Sequence, residues 1–258
     1  MTFANSYRSE LLKTKRTASF WLSLLGAGFI PAIYLIAYIL KPDGASRQLG
    51  EAPWNVHFFM GWQGVGFFLL PMFVVLLCAL VTQIEFKNNT WKQVYASPQS
   101  YGQIYFSKLL IIHTMIIFFF IAFNLFMLGT GIVSALVHKQ LAFLKSSFDV
   151  QKLVELNAKM YISTMGIAAI QYWLSLRFKN FIVPMGIGLA LLIAAIVATN
   201  LGWEHIYKVP FAQPGLTLRY VSQPVKGWLQ PHEWNSIIAF VIFTIGGFLD
   251  VIYKKEKG

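Results

Sequence analysis

The dipeptide His232–Glu233 is where this chain comes nearest to a metal-dependent enzyme motif. On a helix, HExxH sets two imidazoles on one face to hold zinc and supplies a glutamate as general base. Position 236 is Ser, so the second ligand is missing. The other histidines, His57, His113, His138 and His205, are scattered, and neither GxSxG nor GxxxxGK[ST] occurs. Without the latter, the chain has no loop of its own to cradle a nucleotide phosphate. Cys78, the one cysteine, lies in an apolar run, away from the cationic setting that activates a thiolate and without a disulfide partner. The expectation is no metal site, no cofactor bound by this chain and no enzymatic activity. If work is done, its energy comes from another polypeptide.

Two polar segments hold what chemistry remains. In residues 5–21, NSYRSELLKTKRTASFW, helical spacing places Phe3, Tyr7, Leu11 and Leu12 on one face, with Arg8, Lys13, Lys15 and Arg16 pointing elsewhere. That pattern fits an amphipathic helix lying in a membrane interface, and equally a basic tail. The second segment, residues 85–110, reads EFKNNTWKQVYASPQSYGQIYFSKLL. Asn88, Asn89 or Thr90 would cap a short helix over 91–96, and Pro98 would end it. Trp91, Val94 and Tyr95 are then available to a partner, since a solvated loop seldom presents such side chains. On its own, Glu85 with Lys87 reads as a surface pair worth little, and Asn88 as an ordinary cap.

The elements that would carry these segments are apolar. The chain is 57% hydrophobic and 12% charged, about half the charge of a soluble domain. Charge-free stretches run over 20–40, 56–84, 109–137, 160–176, 181–203 and 234–249. A helix needs about 20 residues to cross the hydrocarbon core. Six spans are expected, at about 20–40, 58–84, 109–137, 160–176, 181–203 and 234–253, in a single all-α membrane domain covering 1–258. The first stretch is too long for a signal-peptide core and stays as an anchor. Trp21, Trp54, Trp62, Trp203 and Trp234 fall near stretch ends, where interfacial belts form. Basic residues are densest before the first span, in the 85–108 segment, at Arg177 and Lys179, and at the C-terminal end. That bias puts both termini in the cytoplasm. Net charge is +11, which reads as attraction to anionic lipid rather than to nucleic acid. The outer segment 204–233, with Pro210, Pro214, Pro224 and Pro231 among aromatics, reads as an ordered cap or re-entrant piece.

No Asp, Glu, Lys or Arg lies in the interior of a span, Glu85 and Asp250 falling at cytoplasmic ends, which disfavours ion-coupled transport. A membrane-embedded enzyme, or an anchor subunit of a larger complex, is the competing class. Such an enzyme would have to be built from Gln63, Gln83, Asn124, Gln171 and Asn200.

Two motifs resemble the permease subunits of type-2 ABC exporters, nearest to the lantibiotic-immunity and bacitracin-resistance-like branch. "SELLKTKRT" before an aromatic and an apolar span resembles that family's connecting helix. "EFKNNTWKQV…SPQS…IYFSK" resembles its segment carrying the coupling helix between spans two and three. The resemblance implies two permeases, identical or different, working with two copies of a separate ATP-binding subunit in the plasma membrane. ATP and Mg would enter only through that partner, and the exported substrate would be peptide, drug-like or lipid-like. It places coupling at Glu85, Asn88, Thr90, Trp91, Val94, Tyr95 and Pro98, and the connecting helix at Glu10, Leu11, Leu12, Lys13 and Arg16. A substrate path would follow a dimer interface with close approach at Gly61, Gly64, Gly186 and Gly188; ordinary packing within one chain explains the same glycines.

Overall fold

A computed structural model describes residues 2–87, 98–178, 180–220 and 227–255. Among these, the chain is helical throughout, joined by turns and short 3-10 segments. α1 covers Phe3–Thr14, α2 Ala18–Leu40, α3 Pro42–Leu49, α4 Pro53–Gly66 and α5 Leu69–Lys87. α6 follows over Tyr101–Val137, α7 over Val150–Arg177, α8 over Ile182–Asn200, α9 over Gln213–Tyr220 and α10 over Pro231–Lys255.

Among the described residues, five helices are long and apolar enough to cross a membrane: α2, α5, α6, α8 and α10. The 160–176 stretch forms the latter part of α7, which does not reach that apolar level. The reason is its position. α7 is sandwiched between α10, α5 and α9, and Ser163, Thr164, Gln171 and Ser175 are buried on it. A helix surrounded by protein need not be apolar all round, because polar groups there can bond to protein. Ser163 and Thr164 donate to carbonyls of their own helix, and Gln171 Nε2 donates to Pro184 O of α8 at 2.7 Å.

The expected second span, 58–84, is two helices. α4 ends at Gly66 and α5 begins at Leu69, with Phe67 and Phe68 between. The cause is α9, which the 201–220 segment folds back into the bundle with Gln213–Leu218 buried. A Cβ on Gly66 would lie 2.3 Å from Leu218 Cδ1, and one on Gly215 2.8 Å from Phe67. α9 fits because both sites lack a side chain.

α6 is longer than the expected 109–137. Ser100 opens it with a capping box, its Oγ accepting from Gln103 N while Gln103 Oε1 accepts from Ser100 N. At 37 residues it spans about 55 Å against about 30 Å of hydrocarbon, longer than a crossing requires. α1 packs along its first turns.

The chain passes along this bundle in alternating directions through α2, α4 with α5, α6, α7, α8 and α10. At one end, Glu85 meets α1 and α6, and Arg177 of α7 meets Asp250 of α10. At the other, Trp54 Nε1 of α4 donates to Phe143 O, and Gln140 Nε2 to Asp43 of α3. Between the ends, the core is aromatic. Trp62 lies 4.8 Å from Phe123, and Phe73 stacks on Phe119 at 4.4 Å, at close centroid distances for such pairs.

Candidate functional site

The site is assembled by α1. Thr2 caps its start, accepting from Asn5 N. It ends where Thr14 Oγ1 donates back to Leu11 O and Thr17 Oγ1 to Thr14 O. Arg16 lies beyond the helix with φ +63°, a left-handed conformation that costs a side-chain-bearing residue roughly 1–2 kcal/mol. The expected connecting helix therefore stops two residues short of Arg16, which instead forms the corner into α2.

The face that α1 buries is polar. Ser6, Glu10 and Thr14 recur every four residues and are buried. Leu11 and Leu12 point outward, Leu12 being 64% exposed. Sequence reading identified the apolar face and left open which face meets protein; the polar one does. Its partner is the start of α6. Ser6 Oγ lies 3.1 Å from Ser107 Oγ and 2.8 Å from Gln99 Oε1, and Tyr7 OH bonds Thr114 at 2.9 Å.

Beneath that seam are four charges. Lys108 Nζ of α6 lies 2.6 Å from Glu10 Oε2 and 2.8 Å from Glu85 Oε1 of α5. Lys13 Nζ lies 2.7 Å from Glu10 Oε1 and 3.0 Å from Glu85 Oε1. Both Lys108 and Glu85 are 1% exposed. The quartet is neutral overall, which makes its burial tolerable, since a lone buried charge costs several kcal/mol. Burial pushes the Glu10 carboxyl upward, but Lys108 and then Lys13 outweigh it and hold it below the usual carboxylate range. Lys13 is held above the usual amine range, burial being outweighed by Glu10 and Glu85. Glu10 and Lys13 are charged at neutral pH on that account. Glu85 Oε2 is buried and has no hydrogen-bond partner among the described residues.

Glu85 is therefore no surface residue; it is buried and joins three elements. The residue that sequence reading missed is Lys108. Its signal was visible, a lysine between FS and LLII, but at a span boundary it counted only toward membrane orientation. Asn88, Thr90, Trp91, Val94 and Tyr95 lie outside the described residues. Pro98 sits in an exposed bend just before the α6 cap.

The glycines divide. Added Cβ atoms would lie 2.3 Å from Met127 Cε at Gly61 and 2.7 Å from both Val75 and Gln171 at Gly188. Those two serve packing within this chain, where α4 meets α6 and where α8 meets α5 and α7. Gly64 borders Ile30 of α2 at 3.3 Å, while Gly186 meets nothing within 4 Å and faces outward. Of the polar residues that a membrane-embedded enzyme would need, two are engaged in packing contacts of their own. Asn124 pairs with Asn157 and Gln171 with Pro184 O, and no cluster of metal-binding side chains occurs among the described residues.

An all-helical bundle with five membrane-length apolar helices and a polar, ion-paired end defines a multi-pass membrane protein rather than a soluble helical domain. Residues 7–195 match the family model described as ABC-2 family transporter protein, and the chain belongs to that family. It is a membrane permease component of an ABC transporter, which implies an ATP-binding partner. No curated protein and no solved structure matches the chain. The family match contains all four quartet residues and ends within α8, before α9 and α10.

Proposed function

We propose that this chain is the membrane half of an exporter whose ATP-binding partner drives it through the buried quartet. The observation that carries this is one of connectivity. Residues 88–97 are strung between α5 and α6, and Glu85 and Lys108 stand on those two helices at the segment's two ends. Both also hold α1, which leads through the Arg16 corner into α2. A push on the segment moves α5, α6 and α1 as one ion-paired body, because pulling any member away strands a buried charge. Tyr172 OH donates to Tyr105 O, and Tyr105 OH to Thr244 O, so the same motion reaches α7 and α10.

In this reading the segment with Asn88, Thr90, Trp91, Val94, Tyr95 and Pro98 docks on the partner, which alone binds ATP and Mg. The six alternating passages are six crossings, α7 included, with both termini and the quartet on the cytoplasmic side of the plasma membrane. A second permease copy or paralogue completes the path, with outward-facing Gly186 and the Gly64 edge as the close-approach positions. The cargo is an amphiphile of peptide, drug or lipid type, as in the lantibiotic-immunity and bacitracin-resistance-like branch that the cytoplasmic motifs resemble.

The test is reconstitution with the ATP-binding protein that co-purifies. The chain alone should hydrolyse no ATP. Lys108→Met should leave the partner bound and lower export per ATP at least tenfold. Trp91→Ala with Thr90→Asp should release the partner; a complex and a stimulated ATPase unchanged by that pair would sink the coupling assignment.

A further inference from the structure

A cavity lined by α4 and α7 lies far from the quartet. From Lys108 to the last turn of α6 is about 29 residues, or about 43 Å of helix, and α4 and α7 begin beside that far end. Between them runs a groove of about 530 Å³, within the range of sites that hold small ligands. Its walls are Val56, Phe58 and Phe59 from α4 and Phe148, Leu153 and Leu156 from α7 and its approach. The floor is rigid. Phe58 lies 5.3 Å from Phe148, and Trp54, anchored on Phe143 O, packs against both.

The mouth is charged, and both signs occur on one helix face. Asp149, Lys152 and Glu155 follow at three-residue intervals along the first turns of α7 and line the same groove. Lys152 Nζ lies 3.2 Å from Asp149 Oδ2 and its side chain is 75% exposed, while Glu155 pairs with Lys159 at 2.8 Å. The Asp149 carboxyl is held below its usual range by the backbone N–H and ammonium of Lys152. Charges fill α7 only up to Lys159, and 160–176 is charge-free, so the mouth sits at the level of a membrane interface and the walls face inward from it.

We propose that the groove is a binding site for one zwitterionic phospholipid of the leaflet opposite the quartet. An acyl chain lies along the phenylalanine and leucine walls, the phosphate meets Lys152, and the ammonium meets Asp149 and Glu155. The phosphate and ammonium replace the two halves of the exposed Lys152–Asp149 pair together, whereas a singly charged head would take one half and strand the other. The inference goes beyond the coupling reading and is measured without nucleotide or partner, so either can fail alone.

Native mass spectrometry of the purified full chain in detergent, titrated with phosphatidylcholine and with phosphatidylglycerol, tests it. One phosphatidylcholine per chain should be retained, at least fivefold more tightly than phosphatidylglycerol. Leu153→Trp, which fills the groove, should weaken retention at least tenfold. Asp149→Asn should weaken it several-fold with the helix cap kept, because Asn caps as well as Asp; this variant holds the test open if Leu153→Trp aggregates. Equal retention of the two lipids, or retention unchanged in Asp149→Asn, means lipid bound all round the protein and overturns the site. Displacement of the lipid by an amphipathic cationic peptide at equal concentration overturns the choice of occupant.

Discussion

Lys108 shows how a charge can be both costly and indispensable. Its ammonium bridges Glu10 and Glu85, so Lys108→Met leaves the two carboxylates to share the single charge of the more exposed Lys13. Removing one partner of a buried ion pair costs about 3–5 kcal/mol. We expect the thermal midpoint of the detergent-solubilised chain to fall accordingly, and to recover much of the loss when Glu10→Met and Glu85→Met are added. No recovery would mean that the lysine stem rather than its charge is what the site requires. The pH dependence has two arms. Glu10 has a lowered folded pKa, so its contribution is present above the ordinary carboxylate range and is lost as pH falls through the depressed value. Lys13 has a raised one, so its contribution persists at neutral pH and is lost only above the ordinary amine range. Hydrogen exchange of α1 amides, corrected for intrinsic rate, should stay level between about pH 5 and pH 9 and rise below the carboxylate range. Loosening near pH 7 would contradict the assigned charge states.

At the scale of elements, close approach is decided by what each glycine faces. Gly131 on α6 faces the Trp54 ring, where a Cβ would lie 2.6 Å from Cζ3. That ring is fixed between Phe58, Phe143 and Phe148. Gly131→Ala should therefore cost roughly 1–3 kcal/mol by overpacking, read as a lower thermal midpoint. Gly186→Ala meets open space in the single chain and should leave that midpoint unchanged. If it also leaves cross-linking between two permease copies unchanged, Gly186 has no part in the association. The sequence marked Gly61, Gly64, Gly186 and Gly188 as one class, because small residues look alike whichever neighbour they admit.

For the molecule as a whole, the open quantity is topology, and Cys78 makes it measurable. The native thiol is fully buried and supplies no background, so single introduced cysteines report which side of the membrane they face. Ser9→Cys and Tyr253→Cys should react with an impermeant maleimide only from the cytoplasmic side. Gly44→Cys and Lys152→Cys should react only from outside. Asn180→Cys, just past α7, should react only from the cytoplasmic side; reaction from outside, together with Lys152→Cys, would mean that α7 does not cross, leaving five crossings.

The sequence by itself determined the class of this protein. Apolar stretches that long leave no soluble alternative, and the missing catalytic and nucleotide motifs are local patterns whose absence can be read directly. It also located the polar segments beside the first and third spans, since charge is conspicuous against an apolar background. What it did not determine were the pairings. Whether Glu10 meets Lys108 depends on residues 98 positions apart being brought to one end of a bundle, and nothing local in "SELLK" or "YFSKLL" names the other. The break at Phe67–Phe68 likewise depends on α9, a segment far along the chain folding back against Gly66. Periodicity tells which face of a helix is apolar. Only the tertiary structure decides whether that face meets protein or lipid, because in a membrane both are apolar, and for α1 the buried face turned out to be the polar one.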